Sequence, residues 1–372
     1  MSILDLMPRA PESLARELEE GWTLPAAWYS DPGVYERERN RIFARSWQYA
    51  APAAKVAEPG SYYATQVGHV PAVVVRTPEG DLRAFANVCR HRGHLVAQGE
   101  GRRETLQCPY HAWTYGLDGT LRRAPRCARE AGFEPAGFSL LPMAAEEWGP
   151  FVFASPDPAA APLAETLGEL AALVAESGVD LGALRFYDQA EWSIPVNWKL
   201  ALENYLECYH CPVAHPGFSK VIDVDPDAYE LRTTATFSSQ FGPVRASALT
   251  GNGNAPYDPR GEVTQAQYHF VFPATTINIE PGRTNLSIER WLPGGPRETI
   301  EVTDYYFGED VTEPEARALI AFGTQVAVED AELVKSVQRG LDSGVVPQGR
   351  LMLESEKLIG HFQRLTFEAL TG

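Results

Sequence analysis

Apolar residues recur every three to four positions through "PESLARELEEG" and "DPGVYERERNRIFARSW", the spacing of helices with one buried stripe, and both stretches carry capping residues. The spacing predicts a helical N-terminal arm over residues 1–45. From residue 46 the pattern changes to short β-rich runs, "YYATQV", "PAVVVRT" and "LRAFANV", with "PEGD" as a hairpin turn. Residues 46–155 therefore read as a small β domain. "SPDPAAAPLAE", starting at Ser155, breaks both periodicities and places a boundary at about 156–163. Beyond it, residues 160–372 mix strand patterns ("YHFVFPATTINIE", "TNLSIERWLP", "TIEVTDYYF") with a helical run "PEARALIAFGTQVAVEDAELVKSVQRGL" and a last helix near 351–370. The fold class is α+β, without internal repeats.

A length of 372 residues supports two domains. Hydrophobic content of 44% with 22% charged residues belongs to a folded globular chain. The net charge of −17 argues against nucleic acid as a partner, because phosphate binding needs a basic face. The N-terminus lacks a basic segment followed by an apolar run, and no stretch of about eighteen apolar residues occurs, so neither secretion nor a membrane span is expected and the cytoplasm is the expected location. Five cysteines, at 89, 108, 127, 208 and 211, are too few and odd in number for a disulfide scaffold. Metal or redox use is the better reading.

Cys89, His91, Cys108 and His111 lie in two short loops, each giving one thiol and one imidazole. A zinc site is a conceivable use, but zinc fingers pair Cys with Cys and His with His. One Cys and one His per loop suits a clamp on a two-iron cluster, with thiolates on one iron and imidazoles on the other. "CRHRG" and "CPYHAWTYGLDG" resemble the cluster-binding loops of Rieske [2Fe-2S] domains. Ala112 stands where that family usually has glycine, a change expected to cost little because a methyl group is small. His94 reads as a surface or supporting histidine and Cys127 as an ordinary small apolar residue.

A Rieske electron carrier would end near residue 155, so the rest of the chain needs another role. In "NWKLALENYLECYHCPVAH", residues 197–215, a continuous helix places Glu203, Glu207 and His210 within about 60° of one another, beside an apolar face of Trp198, Leu202, Tyr205 and Tyr209. Pro212 is expected to end that helix at Cys211 and hand His215 to the next turn, so that His210 and His215 converge on one ion. Two histidines and a carboxylate leave open positions for dioxygen at non-haem Fe(II). The carboxylate candidate is Asp330, within an expected apolar stripe of Val326, Leu333, Val334 and Val337. Glu329 and Glu332 point about 100° and 160° away and are expected in solvent.

"ENYLECYHCPVAHPGF" and "EDAELVKSVQRGL" resemble the iron-binding segments of Rieske non-haem iron oxygenase α subunits, and the segments around Glu207 and "TINIEPGRTNLSIERWLP" are similar to the branch acting on choline, glycine betaine or carnitine. The resemblance implies an all-β Rieske domain followed by an α+β catalytic domain of helix-grip type with an antiparallel sheet. It implies Cys89, His91, Cys108 and His111 for the cluster, His210, His215 and Asp330 for mononuclear iron, and Glu207 as the carboxylate bridging the two centres. It further implies a homotrimer in which each cluster serves a neighbour's iron, and NAD(P)H-derived electrons delivered by a separate flavin/iron-sulfur reductase or ferredoxin. With O2, a small organic substrate, quaternary ammonium or aromatic, would then be hydroxylated, dihydroxylated or demethylated. The competing readings are a pure Rieske electron-transfer protein and a non-catalytic redox or ligand sensor.

Overall fold

The β-rich runs after residue 46 are strands in the computed structural model, which describes residues 11–250 and 255–372. They are β1 (Gln48–Pro52), β2 (Ser61–Val67), β3 (Val70–Arg76), β4 (Leu82–Ala86), β5 (Glu100–Arg102), β6 (Thr105–Gln107), β7 (Thr114–Gly116), β8 (Leu121–Arg123), β9 (Pro142–Trp148) and β10 (Phe151–Ser155). Seven of them form one sheet in the order β1-β10-β9-β4-β3-β2-β5, and β6-β7-β8 form a second. "PEGD" makes the expected turn between β3 and β4, where Gly80 at φ +95° adopts a left-handed conformation that disfavours a side chain. These strands and their loops are one compact unit, Phe43–Leu163.

The other unit joins residues 11–42 to Ala164–Gly372. The N-terminal helices, Pro11–Glu19 and Pro32–Glu38, therefore do not stand as a separate arm; residues 1–10, also assigned to that arm, lie outside the described residues. A buried ion pair is one of the ties, beside Leu24 N–H donating to Gln363 Oε1 at 2.9 Å and Tyr29 Oη to Glu203 at 2.7 Å. Glu38 and Lys199 are both fully buried, 2.5 Å apart, and the remaining carboxylate oxygen accepts from Trp198 Nε1 at 2.8 Å. Lys199 Nζ also donates to the carbonyl of Trp28 at 3.0 Å. Neither charge is tolerable there without the other.

The sheet of this unit contains β11 (Arg185–Ile194), β12 (Glu230–Thr233), β13 (Phe237–Pro243), β14 (Gln265–Val271), β15 (Thr275–Ile279), β16 (Asn285–Gly295) and β17 (Glu298–Phe307). Its order is β11-β17-β16-β15-β14-β13-β12, with every neighbour antiparallel. The long helix Glu313–Asp342 starts on a capping box: Thr312 and Glu315 satisfy each other's end groups. Lys357–Thr371 is the last helix. No helix among the described residues is long and apolar enough to cross a membrane.

Candidate functional site

Two loops gather the Cys and His residues of the first unit. The β4–β5 connection closes on itself where Cys89 N–H donates to the His94 carbonyl at 2.8 Å and Gly93 N–H to that of Cys89 at 3.0 Å. In the β6–β7 connection, Cys108 N–H donates to Trp113 and Ala112 N–H to Cys108. Cys89 and Cys108 are buried within the core that contains Trp113 and Tyr115, whereas His91 and His111 are exposed, their ring centroids 4.6 Å apart. Thiols on the inner side and imidazoles on the outer side match a binuclear cluster rather than four ligands around one zinc. Tyr115 lies with its hydroxyl 3.3 Å from Cys89 Sγ and accepts from Arg90 N–H at 3.1 Å, which leaves its own proton for the sulfur. Ala112 has φ +57°, so its departure from glycine carries a conformational cost of about 1 kcal/mol rather than a steric one. His94 is half-buried and held to the Leu95 carbonyl, and Cys127 packs against the core, both outside the cluster loops' inner face.

In the second unit the helix that begins at Trp198 stops at Tyr205, six residues earlier than Pro212 alone would require. Glu207 and His210 follow in a turn, and a short helix, Cys211–Ala214, carries the chain to His215. The expected stripe of Glu203, Glu207 and His210 therefore does not exist: Glu203 accepts from Tyr29 Oη at 2.7 Å and Gln363 Nε2 at 2.9 Å, away from the histidines, and Tyr209 is exposed. The turn also joins Cys208 to Cys211 in a disulfide, a pairing the cysteine count did not suggest.

His210 Nε2, His215 Nε2 and Asp330 Oδ1 meet at one point, 3.0 Å between the nitrogens and 3.3 and 2.9 Å from each to the oxygen. Among the described residues they are the group of three or more His, Cys or acidic side chains gathered closely enough to share an ion. Each imidazole spends its other nitrogen on a carboxylate. His210 Nδ1 donates to Glu207, and His215 Nδ1 donates to Glu329 at 2.7 Å. Carboxylates only accept, so both Nδ1 atoms carry the proton and both Nε2 lone pairs face Asp330. Three facing lone pairs repel one another unless a cation lies among them. Donors about 2.1 Å from one ion and at right angles stand about 3.0 Å apart, as these do. The same crowding of lone pairs favours positive charge on the imidazoles. Burial opposes charging of His210, but its bonds to Asp330 and Glu207 outweigh this and hold its pKa at about 9; burial is likewise overcome at Asp330, which the two histidines hold at about 2. His215 is raised in the same way.

Glu329 is thus not a solvated residue of an acidic run. It is the partner that orients His215, itself steadied by Gln325 Nε2 at 2.8 Å. The expected stripe of the long helix is also narrower: Val334 and Gln338 are buried, whereas Leu333 and Val337 are 40% and 48% exposed. Glu332 does face solvent, paired with Lys335.

A cavity of about 1340 Å³, counting its open mouth, leads to these side chains. Its far wall is the sheet, where period-two alternation brings Thr276, Asn278 and Glu280 of the β15 segment, Ser287, Glu289 and Trp291 of β16, and Glu301, Thr303 and Tyr305 of β17 to one face. Tyr205, Tyr229 and Tyr268 add further rings, and no lysine or arginine is among the described lining residues. Burial pushes the Glu280 and Glu289 carboxyls up to about 7; burial and then the neighbouring Glu289 push Glu301 up to about 8. Sequence reasoning centred on histidines misses these three acids, although "TINIE", "NLSIE" and "EVTDY" carry polar residues at alternate positions.

Residues 46–141 match the Rieske [2Fe-2S] domain family, and residues 181–372 match the ring hydroxylating alpha subunit (catalytic domain) family. The carnitine monooxygenase oxygenase subunit of Escherichia coli (strain K12) is 35% identical over 366 residues, 95% of this chain and 96% of that protein. The chloroplastic choline monooxygenase of Spinacia oleracea is 33% identical, over 97% of this chain and 82% of its own. The crystal structure of a quaternary ammonium Rieske monooxygenase in complex with L-carnitine superposes with a TM-score of 0.83 at 32% identity, covering 98% and 99% of the two chains. The fold is shared more widely, with naphthalene 1,2-dioxygenase from Rhodococcus sp. at a TM-score of 0.81, 23% identity and 97% coverage of both chains. Sequence and fold agree, and the chain belongs to the Rieske non-haem iron oxygenases as an α, or terminal oxygenase, subunit that uses a Rieske [2Fe-2S] cluster and mononuclear iron.

Proposed function

We propose that this oxygenase acts on a small organic cation of the quaternary ammonium type. The observation that carries the reading is the cavity leading to His210, His215 and Asp330: its wall offers carboxylates and electron-rich rings and, among the described residues, no lysine or arginine. Such a surface attracts a cation through both charge and ring faces. The relatives named for carnitine and choline act on compounds of this type, which supports the assignment.

In this reading Cys89, His91, Cys108 and His111 hold the cluster, and His210, His215 and Asp330 hold the iron. Iron at such a facial site supplies positions for O2 and the electrons that activate it. The chain's own part is orientation and exclusion of water. Glu207 fixes the His210 ring and, as a bridging acid, links it to the cluster of a neighbouring subunit in a homotrimer. Tyr209, whose N–H donates to that acid, is 62% exposed and Val213 89%, and such apolar surface favours coverage by another subunit. A separate reductase or ferredoxin in the cytoplasm delivers the NAD(P)H-derived electrons.

The test is O2 consumption with the reductase and a panel of trimethylammonium compounds and arenes, with product analysis. Cations should stimulate uptake and yield an oxygenated or demethylated product. Asp330→Ala should abolish both while the cluster spectrum persists. Stimulation by arenes alone would overturn the substrate reading, and cluster turnover without substrate-dependent O2 uptake would favour an electron carrier.

A further inference from the structure

The acids of the cavity fall into two groups. Glu289 accepts at both oxygens, from the Thr276 hydroxyl and from Asn278 Nδ2 at 2.8 Å. Glu301, close enough to Glu289 to feel its charge, accepts from Thr303 at 3.2 Å. Glu280 lies apart. It receives the Tyr268 hydroxyl, 3.0 and 3.1 Å from its two oxygens, and the Tyr257 hydroxyl at 3.3 Å. Glu289 pairs across the sheet with Thr276, and Glu280 lies four residues beyond Thr276 in the same segment, so the two poles are roughly 13 Å apart at the backbone. Between them stands Tyr205, its hydroxyl donating to Asn278 Oδ1 at 2.8 Å.

Donors aimed at both oxygens of a carboxylate favour its ionised form, and burial favours the neutral one unless positive charge arrives. No lysine or arginine lies among the described lining residues, and the two lining histidines are engaged with Asp330, Glu207 and Glu329, so a cationic ligand group is the charge that these acids can take. One cationic centre reaches one pole. A ligand with a carboxylate at its other end would meet like charge at the second pole and no base to pair with.

Resting on the cation reading above, we infer that the substrate is an extended organic dication, one cationic centre held by Glu289 and Glu301 and the other by Glu280, with its methylene chain along the rings between them. The cavity thereby discriminates against monocations and against zwitterions bearing a carboxylate.

The anaerobic holoenzyme is titrated calorimetrically with bis(trimethylammonium)octane, trimethyloctylammonium and the ω-trimethylammonio carboxylate of the same chain length. The dication should bind at least tenfold more tightly than the monocation, with the zwitterion weakest. Glu280→Gln should collapse the dication's advantage, while Glu332→Gln, on the solvent side of the long helix, should preserve it. Equal binding of monocation and dication, tightest binding of the zwitterion, no binding by any probe, or an undiminished advantage in Glu280→Gln would each overturn the inference. The wild-type ratio decides by itself where the variant does not fold. Substrate-stimulated O2 uptake is followed in parallel: a monocation oxidised with no dication preference defeats this inference alone, whereas a dication bound without any cation-stimulated uptake defeats the proposed function alone.

Discussion

Replacing Glu329 by alanine should weaken iron binding by one to two orders of magnitude and leave the cluster intact. The carboxylate accepts from His215 Nδ1 at 2.7 Å, and His215 is almost completely buried, so no water can take over the bond without opening the core. A hydrogen bond to a charged group is worth about 1.5–3 kcal/mol. Glu329 is itself about one-quarter exposed, which places the effect toward the lower half of that range. Losing the carboxylate partner of a ligating histidine ordinarily costs 10–100-fold in metal affinity, roughly 1.4–2.8 kcal/mol. The two routes to the magnitude agree. The assay is anaerobic competition for Fe(II) against a chromogenic chelator, with the visible spectrum of the cluster as an internal measure of folding. Glu329→Gln, whose amide oxygen still accepts from Nδ1–H, should lose less than Glu329→Ala, and Glu332→Ala should match wild type. Wild-type iron affinity in Glu329→Ala would refute the claim that this acid orients His215, and equal losses in Glu329→Ala and Glu332→Ala would show that only the general negative field matters.

Tyr115→Phe removes the proton donated to Cys89 Sγ and should lower the cluster potential by roughly 40–60 mV, the one-electron equivalent of a bond worth about 1 kcal/mol; spectroelectrochemistry reads the shift, and an unchanged or higher potential contradicts it. Glu38→Gln or Lys199→Met strands a fully buried charge or its partner and should destabilise the fold by about 3–5 kcal/mol, measured by denaturant titration, while replacing both with apolar residues recovers much of the loss. Glu203, Glu280, Glu289 and Glu301 have folded pKa values of about 7, 7, 7 and 8, above the range for an exposed carboxyl. The folded state then binds more protons than the unfolded one between about pH 4.5 and 8, so their contribution is fully present below that window and is lost as pH rises through it. Thermal melts should show Tm falling across the window, with a smaller fall in Glu289→Gln; a slope unchanged by that substitution would contradict the assignment.

What the sequence made legible depended on whether the signal was local. Cys89, His91, Cys108 and His111 announce a two-loop clamp because each loop carries its ligands within a few residues, and the loops' backbone turns follow from the same residues. Asp330 was legible because an acid among apolar neighbours needs a reason, even though Leu333 and Val337, two of those neighbours, are exposed. Glu329 was misread for a physical cause. Helical phase correctly turns it away from Asp330, but His215 reaches around the helix to meet it, and that approach is set by the turn at 206–215, which no periodicity encodes. The N-terminal helices were legible as helices; their attachment through Glu38 and Lys199 was not, since a pair separated by 161 positions leaves no mark on either segment.

The early end of the helix at Tyr205 has a consequence for how the site works. On a continuous helix, His210 would lie one turn beyond Leu206 on a rigid face, and its Nε2 could not face that of His215 across a short turn. Because the chain leaves the helix after Tyr205, Glu207 can fold back on the backbone N–H and the ring Nδ1 of His210, and Cys211–Ala214 returns His215 to the same point. The same break frees Tyr205, as the last helical residue, to reach Asn278 on the sheet. One local interruption therefore sets the ligand geometry on one side and divides the acidic cavity on the other. Leu206→Ala, which truncates the buried side chain at the break and lets the turn relax, should loosen iron binding and cation binding together, as measured by Fe(II) competition and calorimetry. Loss of one without the other would show that the two sides are built independently.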